Sequence, residues 1–247
     1  MAISGGPDIV EDGLLLCLDA ADKNSYPGNG TTFCDITGNG SHASLINGIA
    51  YDSSNLGGVL MDGGNEYLDI SPTGSYYNHM SSGDFAVETF VRSDNVVYPM
   101  SRHPLKLCHT TYNSNYKGWS VGHRGSSSSI EVRVSDGAYF STTTLNHSTI
   151  SESTYYHRIF CVSRNNGCST TYYLNGDLVG TANATAVTGA ICDKDQSSDY
   201  GSAGLVFGMV WGWRYIGSIN IIRVYDYALS ASEVLQNYNA TKGRYGL

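Results

Sequence analysis

Residues 156–179 read YHRIFCVSRNNGCSTTYYLNGDLV, and this stretch decides the fold. Two segments rich in apolar, aromatic and hydroxyl side chains, Tyr156–Arg164 and Ser169–Leu174, flank Asn165-Asn166-Gly167, which is typical of a hairpin turn. Asn175-Gly176 then forms a second tight turn that leads into another strand. Consecutive hairpins predict an antiparallel sheet, because a parallel sheet would need a long crossover between its strands.

Strand patterns also lie on both sides of this stretch. Gly13–Ala20 (GLLLCLDA) is a continuous apolar run, which is typical of a buried strand. In Phe85–Arg92, apolar residues alternate with Glu88 and Arg92, so the two sets point to opposite faces. The other predicted strands are Val59–Met61, Tyr67–Ile70, Ile130–Val134, Gly204–Val210 and Ser218–Tyr225. Many short strands separated by turn residues describe an all-β antiparallel sandwich.

The C-terminal region predicts one short helix. Ser230 followed by Glu233 forms a capping box, and Val234, Leu235 and Tyr238 recur at helical spacing. Gly243 can close this helix, which is expected near residues 230–240. No linker, composition shift or repeat divides the chain, so residues 1–247 are expected to form one domain with its core at about 13–243.

Composition limits the partners. The net charge of −8 disfavours nucleic acid, which needs a positive field against its phosphates. Charged residues make up 15% of the chain, against about 25% in typical soluble domains. Residues 1–13 carry neither the basic nor the apolar region of a secretory signal, and no apolar run reaches the roughly 18 residues of a membrane span. We therefore expect synthesis in a cytoplasm, without export by a signal peptide and without membrane insertion.

The sequence contains six cysteines, an even number that is compatible with disulfides. None of them forms a CxxC or CxxH pattern, so a zinc site is not indicated. Cytoplasmic synthesis favours free thiols. Cys17 and Cys161 lie in apolar strands. We expect most of the six to be unpaired and used as small apolar residues.

Several of these segments together resemble one family of sandwiches. They include the opening run Gly13–Ala20 with Phe33–Gly40 (FCDITGNG), the turn Asp62–Leu68 (DGGNEYL), the strand Phe85–Val91 (FAVETFV), the strand and turn Tyr172–Gly176 (YYLNG), and the closing Ile219–Glu233 (INIIRVYDYALSASE). The chain resembles the concanavalin A-like, laminin G-like (LamG-type) jelly rolls from about residue 13 to 243. The resemblance implies a jelly-roll sandwich of the lectin/glucanase fold.

A narrower resemblance concerns the end of the chain. Residues 228–247 (ALSASEVLQNYNATKGRYGL) are similar to the ends of such domains in virion proteins of tailed phages of aquatic, cyanophage-like kind. This resemblance implies a virion protein, whose partners would be other capsid or tail proteins and whose oligomeric state would be set by the particle. A phage protein reaches the exterior by lysis, which agrees with the expected lack of a signal peptide.

Catalysis is not indicated by the sequence. Glucanases of this fold carry a Glu-x-Asp-x-x-Glu strand, and the nearest pattern here is Glu131–Asp136 (EVRVSD). The odd separation of Glu131 and Asp136 places the two carboxylates on opposite faces of an ideal strand. They are expected to be solvent-facing charges and not the paired carboxylates of a glycosidase.

Calcium is the metal that the loops favour, if a metal is bound. Asp35, Asn39 and Asp62 lie in loops rich in glycine and asparagine, and Ca²⁺ takes hard oxygen ligands from such loops. The alternative is that Asp35 caps its own turn by accepting hydrogen bonds from the backbone amides of Thr37 or Gly38.

Aromatic residues indicate a sugar-binding surface. Tyr116, Trp119, Trp211 and Trp213 fall in or near predicted loops and strand ends, where a ring face could stack on a sugar. Trp211 and Trp213 lie on the same side of a strand. The alternative is that these large amphipathic side chains pack in the core or in an interface.

Two classes of function then compete. The first is a non-catalytic virion module of a tailed phage, displayed outward as a capsid decoration or fibre part, with glycan adhesion as an added role. The second is a soluble carbohydrate-binding lectin or a receptor-binding tail-fibre domain that recognises host surface glycans. A glycoside hydrolase is the weakest interpretation, because the carboxylate pair is missing.

Overall fold

The chain forms two antiparallel sheets that pack face to face. The computed structural model describes residues 8–53, 57–70, 75–94, 105–108, 116–123, 128–165, 167–193, 204–210 and 213–247. In the first sheet, sheet A, the strands follow the order β14-β13-β12-β7-β18-β5-β4, and β1 also pairs with β18. Their bounds are β1 Leu14–Asp19, β4 Ala50–Asp52, β5 Gly58–Asp62, β7 Phe85–Ser93, β12 Thr154–Ser163, β13 Cys168–Leu174, β14 Asp177–Ala184 and β18 Ile216–Tyr225.

The second sheet, sheet B, has the order β11-β10-β9-β8-β15-β6-β3-β2. Its strands are β2 Thr32–Phe33, β3 Ala43–Ile46, β6 Tyr67–Ile70, β8 Leu105–Cys108, β9 Lys117–His123, β10 Ser129–Asp136, β11 Phe140–Asn146 and β15 Leu205–Phe207. A small hairpin of β16 Met209–Val210 and β17 Trp213–Arg214 and two helices, α1 Ser75–Ser82 and α2 Ala231–Lys242, complete the described elements. The predicted all-β sandwich with a C-terminal helix is confirmed.

One continuous apolar core lies between the sheets. It takes Val87 and Val91 from β7, Phe160 from β12 and Val132 from β10, all nearly inaccessible to solvent. These residues alternate along their strands with side chains on the opposite face, because successive residues of a strand point to opposite sides. The alternation predicted for Phe85–Arg92 is therefore confirmed, with Glu88 on the face away from sheet B.

The predicted hairpins are also present. β12 pairs antiparallel with β13, and β13 with β14, across the two turns that the sequence indicated. Asn175 has φ +53° and Gly176 has φ +86°, the left-handed conformations that a tight Asn-Gly turn requires. The turn at residues 62–66 differs, because β5 belongs to sheet A and β6 to sheet B. It carries the chain from one layer to the other.

Helix α2 begins where the capping box predicts. The Ser230 side chain accepts a hydrogen bond from the Glu233 backbone N–H, and the Glu233 carboxylate accepts one from the Ser230 backbone N–H. The helix lies on the outer face of sheet A, where Val234 packs in a second apolar cluster with Ile159 and Tyr225. Sheet A is thus covered on both faces, which explains why β7 is almost wholly buried.

A buried carboxylate joins α2 to the centre of sheet A. Glu88 is fully buried, and its Oε1 accepts hydrogen bonds from Arg223 Nη1 at 2.8 Å and His157 Nε2 at 3.0 Å. Its Oε2 accepts one from Asn237 Nδ2 of α2 at 2.8 Å and one from the Tyr225 hydroxyl at 3.3 Å. Burial alone would raise the pKa of Glu88, but the Arg223 charge and these hydrogen bonds outweigh it and lower the pKa to about 2.

The sequence did not predict helix α1. Residues 75–82 (SYYNHMSS) contain no apolar repeat at helical spacing, so no pattern announced a helix there. Met80 is fully buried in the core between the sheets and anchors the segment. Neither described helix has the length and apolar character of a membrane span.

Most of the cysteines are unpaired, as the sequence predicts. Cys17, Cys34, Cys161 and Cys168 carry free thiols, whereas Cys192 is disulfide-bonded. These four free thiols confirm the expectation that most of the six cysteines are unpaired. Burial raises the pKa of Cys161 to about 12, so this thiol is an inert part of the core.

Glu88→Gln should strongly destabilise the protein at neutral pH. Breaking a buried ion pair leaves Arg223 uncompensated and costs about 3–5 kcal/mol, which corresponds to a melting temperature lower by roughly 6–20 °C. Because the folded-state pKa of Glu88 lies below its ordinary value of 4.5, the stabilisation that its carboxylate provides is complete above that pH and is lost as the pH falls towards 2. Thermal unfolding at several pH values measures both effects.

The matched control is Glu11→Gln, which changes an exposed carboxylate. The control should melt like the unmodified chain at every pH. Equal melting temperatures of the Glu88→Gln and control variants at pH 7 would contradict the role given to Glu88.

Candidate functional site

A pocket of about 240 Å³ opens on the outer face of sheet A, at the end where β5 and β7 finish and β18 begins. Its lining has an aliphatic floor and a charged rim. The residues are Gly48, Ala50, Leu60, Met61, Asp62, Glu66, Arg92, Asp94 and Gly217. A concave surface that combines apolar area with a few fixed polar groups is the usual form of a small-ligand site.

The turn that follows β5 supplies two carboxylates. The backbone N–H of Gly64 donates to Asp62 Oδ1 at 2.8 Å, so Asp62 stabilises the turn through one oxygen. Glu66 lies at the end of the same turn and reaches the same pocket. Arg214 Nη1 donates to the Gly63 carbonyl at 3.2 Å and so holds the backbone of β17 beside the rim.

A fixed ion pair forms the opposite wall. Arg92 donates from Nε to Asp94 Oδ1 at 2.8 Å and from Nη2 to Asp94 Oδ2 at 2.7 Å. The guanidinium carbon of Arg92 also lies 5.9 Å from the centroid of the Tyr155 ring. The hydrogen bonds from Arg92 to Asp94 raise the Arg92 pKa, so the side chain stays charged and oriented.

Gly217 lets β18 lie close to β7 at the wall of the pocket. Its φ of +147° lies outside the range that residues with a side chain adopt, and a Cβ at this position would collide with the carbonyl oxygen of Arg92. A glycine is therefore required where β18 enters the sheet beside β7.

The rim carries three carboxylates and one guanidinium. Asp94 is neutralised by Arg92, which leaves Asp62 and Glu66 as the charged hydrogen-bond acceptors of the pocket. Such acceptors bind hydroxyl and ammonium donors, and their negative field repels carboxylate, sulfate and phosphate groups. The aliphatic floor offers contact to the C–H face of a small polyhydroxyl molecule.

The structure corrects the prediction for Trp119. This side chain is fully buried between the sheets, where its Nε1 donates to Thr170 Oγ1 at 3.0 Å. Its ring packs edge-to-face on Phe85 and Phe160. Trp119 has no free face for a sugar, so the alternative of core packing holds at this position.

The other predicted aromatic residues lie elsewhere. Tyr116, which directly precedes β9 of sheet B, is 37% exposed. Trp211 lies outside the described residues. Trp213 lies in β17, whose backbone the structure describes, and the neighbouring Arg214 is the residue that bonds to the turn of the pocket. The structure therefore places one of the four, Trp213, on an element beside the pocket.

The predicted calcium ligands are not brought together. Asp35 is buried, and its carboxylate accepts hydrogen bonds from the backbone amides of Cys17 at 3.0 Å, Thr37 at 3.0 Å and Ser41 at 3.3 Å. Asn39 donates to the Leu15 carbonyl at 3.0 Å. Asp35 thus caps its own turn through the Thr37 amide, as the alternative proposed, and its bond from the Cys17 amide also fastens the loop to β1.

Asp62 lies at the rim of the pocket. It is the last residue of β5 in sheet A, just before the turn that leads to sheet B. Among the residues that the structure describes, no group of three or more histidine, cysteine, aspartate or glutamate side chains could hold a metal ion. Asp35, Asn39 and Asp62, the candidate calcium ligands, each make hydrogen bonds within the protein.

Glu131 and Asp136 also have structural roles. Glu131 is only 3% exposed and forms an ion pair with Arg133 on its own strand, so the expectation that it faces solvent is wrong. Asp136 accepts hydrogen bonds from the backbone amides of Tyr139 at 2.8 Å and Gly189 at 2.9 Å, among others. Burial would raise the Asp136 pKa, but these backbone hydrogen bonds lower it.

Sequence reasoning missed most of the pocket. Asp94 and Gly217 carried no motif, and Arg92 appeared only as an outward-facing strand residue. The one available signal was the turn at residues 62–66, which resembled a family motif. That motif did not show that the Arg92–Asp94 ion pair would form the opposite wall of a pocket. Only the pairing of β7, β18 and β5 places Arg92 and Asp62 around one cavity.

Comparisons with known proteins agree with the fold. The family model of the concanavalin A-like lectin/glucanases superfamily matches residues 62–235. No curated protein sequence matches the chain significantly.

Similar solved structures include two botulinum neurotoxin DC binding domains. One, in complex with SialylT, has a TM-score of 0.66 at 13% identity and covers 93% of this chain and 52% of its own. The other, in complex with rat synaptotagmin II, has a TM-score of 0.65 at 14% identity and covers 92% and 51%. The chain spans about half the length of these domains.

Domain 4 of the extracellular arabinanase AbnA from Geobacillus stearothermophilus, in complex with arabinotriose, is similar over its whole length. Its TM-score is 0.65 at 17% identity, and the match covers 93% of this chain and 100% of that domain. At these identities the likeness establishes the fold.

Asp35→Asn should destabilise the protein without any metal being involved. An amide nitrogen cannot accept the backbone hydrogen bonds that one carboxylate oxygen accepts, and each unsatisfied buried donor costs about 1–3 kcal/mol. We expect a melting temperature lower by roughly 2–10 °C, measured by calorimetry, against an unchanged value for the exposed control Asp12→Asn. A calcium chelator should leave the unmodified protein's melting temperature unchanged, and a clear fall would restore the metal hypothesis.

Proposed function

The chain belongs to the concanavalin A-like lectin/glucanase superfamily, and on this premise we propose that it is a non-catalytic carbohydrate- or receptor-binding module. The observation that carries the proposal is the pocket on the outer face of sheet A, with its aliphatic floor and two acceptor carboxylates, Asp62 and Glu66. The glycan and receptor complexes of the similar toxin and arabinanase domains support the same class of function.

The carboxylates support binding over hydrolysis. Glu131 is buried against Arg133, and Asp136 is held by backbone amides, so neither is free to act as an acid or a nucleophile. In the pocket, Asp94 is committed to Arg92 and Asp62 to its own turn. A glycosidase needs one carboxyl group to hold a proton and another to attack or activate water across the bond. The pocket is better suited to holding hydroxyl groups.

The charge of the pocket selects its ligand. The carboxylates of Asp62 and Glu66 at the rim favour a neutral or amino sugar over sialic or uronic acids, whose own carboxylates they would repel. Trp213 is the aromatic residue proposed to stack on such a sugar. It lies in β17 beside Arg214, which donates a hydrogen bond to the turn at the rim. Tyr116, on sheet B, is a separate and weaker candidate.

We further propose that this module is displayed outward on the particle of a tailed phage, as a capsid decoration or a fibre part. The similarity of residues 228–247 to the ends of phage virion domains supports this placement. Its partners would then be capsid or tail proteins on one side and host surface glycans on the other. A soluble lectin is the alternative if the protein does not join the particle.

Glycan-array binding followed by titration calorimetry tests the pocket. We expect binding of neutral or amino-sugar glycans, and Glu66→Gln or Trp213→Ala should weaken it at least tenfold, which corresponds to about 1.4 kcal/mol. Tyr139→Ala is the matched control, because it removes an aromatic residue that is 56% exposed at the β10–β11 turn, away from the pocket. Preferred binding of acidic glycans, or losses equal to the control's, would refute the assignment.

Mass spectrometry of purified virions tests the placement. The protein should be present at a fixed stoichiometry to the major capsid or tail protein after gradient purification. If it occurs in the infected lysate but not in the particles, the soluble lectin becomes the better account. Release of reducing sugars from any bound glycan would instead favour a hydrolase.

A further inference from the structure

Three of the arginines that the structure describes are buried, and one of them differs from the other two. Arg133 forms an ion pair with Glu131, and Arg223 forms one with Glu88. Arg158 is only 2% exposed, but no aspartate or glutamate among the described residues forms an ion pair with it. Buried charges in proteins are normally paired, because a lone charge loses its hydration without compensation.

Arg158 lies between the two sheets. Tyr156 and Phe160, two residues away on either side in β12, both belong to the core, so Arg158 shares their inward face. Its Nη2 donates a hydrogen bond to Nε2 of His123, in β9 of sheet B, at 2.8 Å. A ring nitrogen that accepts a hydrogen bond carries no proton, so this bond keeps His123 neutral. The buried Nε of Arg158 donates to no atom of the described protein.

Two further polar side chains complete a cluster around this pair. The His147 ring packs edge-to-face on His123 at a centroid distance of 5.1 Å and on Tyr172 at 5.9 Å. Tyr172 is fully buried in β13, and its hydroxyl makes no hydrogen bond to a described residue. His147 Nδ1 donates to the Ser148 carbonyl at 2.6 Å, and its buried Nε2 likewise makes none. We call Arg158, His123, His147 and Tyr172 the inter-sheet cluster.

A second pocket, of about 300 Å³, leads towards this cluster from one end of the sandwich. It lies between the end of β11 in sheet B and the β13–β14 turn of sheet A. Its lining residues are Asn146, His147, Ser148, Leu174, Asn175, Asp177, Leu178 and Val179. His147 belongs to both the lining and the cluster. Leu174, which is buried, pairs with Arg158 across β12 and β13. The inter-sheet cluster therefore lies directly behind the inner wall of the second pocket.

We propose that the inter-sheet cluster binds a small monovalent anion, of the size of chloride or formate, which enters through the second pocket. The anion accepts hydrogen bonds from Arg158 Nε and the Tyr172 hydroxyl, and its charge neutralises the guanidinium. Because Arg158 and Tyr172 belong to sheet A and His147 follows β11 of sheet B, the ion links the two layers.

The size and charge of the site limit the anion. Arg158, His123 and Tyr172 are all buried, so the cluster accommodates an ion of only a few atoms. One guanidinium supplies one positive charge, which balances one negative charge. The exposed carboxylate of Asp177 in the lining of the second pocket repels multiply charged ions more strongly than monovalent ones.

His147 should respond to the bound anion. Burial and, to a smaller extent, the Arg158 charge lower the pKa of His147. A negative charge in the cluster opposes both effects and favours a proton on Nε2, which then becomes a third donor. The other groups that face His147 are His123 and Tyr172 in the cluster and Asp177 in the pocket. Anion binding should therefore raise the His147 pKa and become tighter as the pH falls.

Thermal unfolding of the full chain in sodium formate, chloride and sulfate at equal ionic strength tests the site. Formate and chloride should raise the melting temperature in a saturable way, because an anion bound only to the folded state stabilises it. Formate should act at the lower concentration, since a carboxylate matches the guanidinium fork. Sulfate should show no saturable effect.

Tyr172→Phe removes one donor and keeps the ring, so it should raise the Kd of formate about tenfold. Without formate this variant should melt no lower than the unmodified chain, because it loses a buried hydroxyl that has no partner in the described protein. A purely structural hydroxyl would give the opposite result. Tyr173→Phe is the matched control, because it makes the same change on the opposite face of β13, and it should keep the full formate response.

Histidine NMR of the unmodified protein should show a higher His147 pKa in formate than in sulfate. Equal effects of the three salts would overturn the proposal. So would a formate response that Tyr172→Phe does not weaken, or a His147 pKa that formate leaves unchanged. None of these measurements uses a glycan, so their outcome is independent of the carbohydrate site proposed on the outer face of sheet A.

Discussion

The structure depends on the need to satisfy one carboxylate buried in the middle of sheet A. An unpaired charge at Glu88 would be too costly, so the surrounding strands must supply Arg223, His157 and Tyr225, and α2 must supply Asn237. The outer face of sheet A is therefore closed by protein and not by water. Tyr238 of the same helix stacks on the His157 ring at a centroid distance of 5.6 Å, which extends this cover.

The segments before β1 and after α2 are also held in place by polar contacts with this outer layer. The Asn237 side chain also accepts a hydrogen bond from the backbone N–H of Val10 at 2.7 Å, which fixes the segment before β1. After the helix, Arg244 makes two hydrogen bonds, of 2.7 and 2.6 Å, to the carboxylate of Asp19 at the end of β1. One helix and two short segments thus hold the outer layer in place with few polar contacts.

The pocket lies where α2 and the residues that follow it no longer cover the outer face of sheet A. Tyr245 packs between Phe90 and Tyr155, and the Arg92 guanidinium lies beyond them over the Tyr155 ring. Past Arg92 none of the described residues covers the outer face of the sheet, and the layer-crossing turn at residues 62–66 forms the far wall of the pocket. The sandwich is shared across the family, whereas the proposed binding chemistry depends on these few rim residues.

The sequence alone determined the sandwich, its hairpins and α2, because alternation, Asn-Gly turns and a capping box are local signals that need no distant partner. It could not determine how deeply Trp119, Glu131 and Asp35 are buried or which groups they contact. Burial and hydrogen-bond partners depend on strands that are far away in sequence. The rim of the pocket could not be predicted either, because Asp62 and Arg92 lie on different strands that are distant in sequence. Pairing between β5, β18 and β7 brings these residues together, and that pairing is a property of the whole core, which no single segment of the sequence contains.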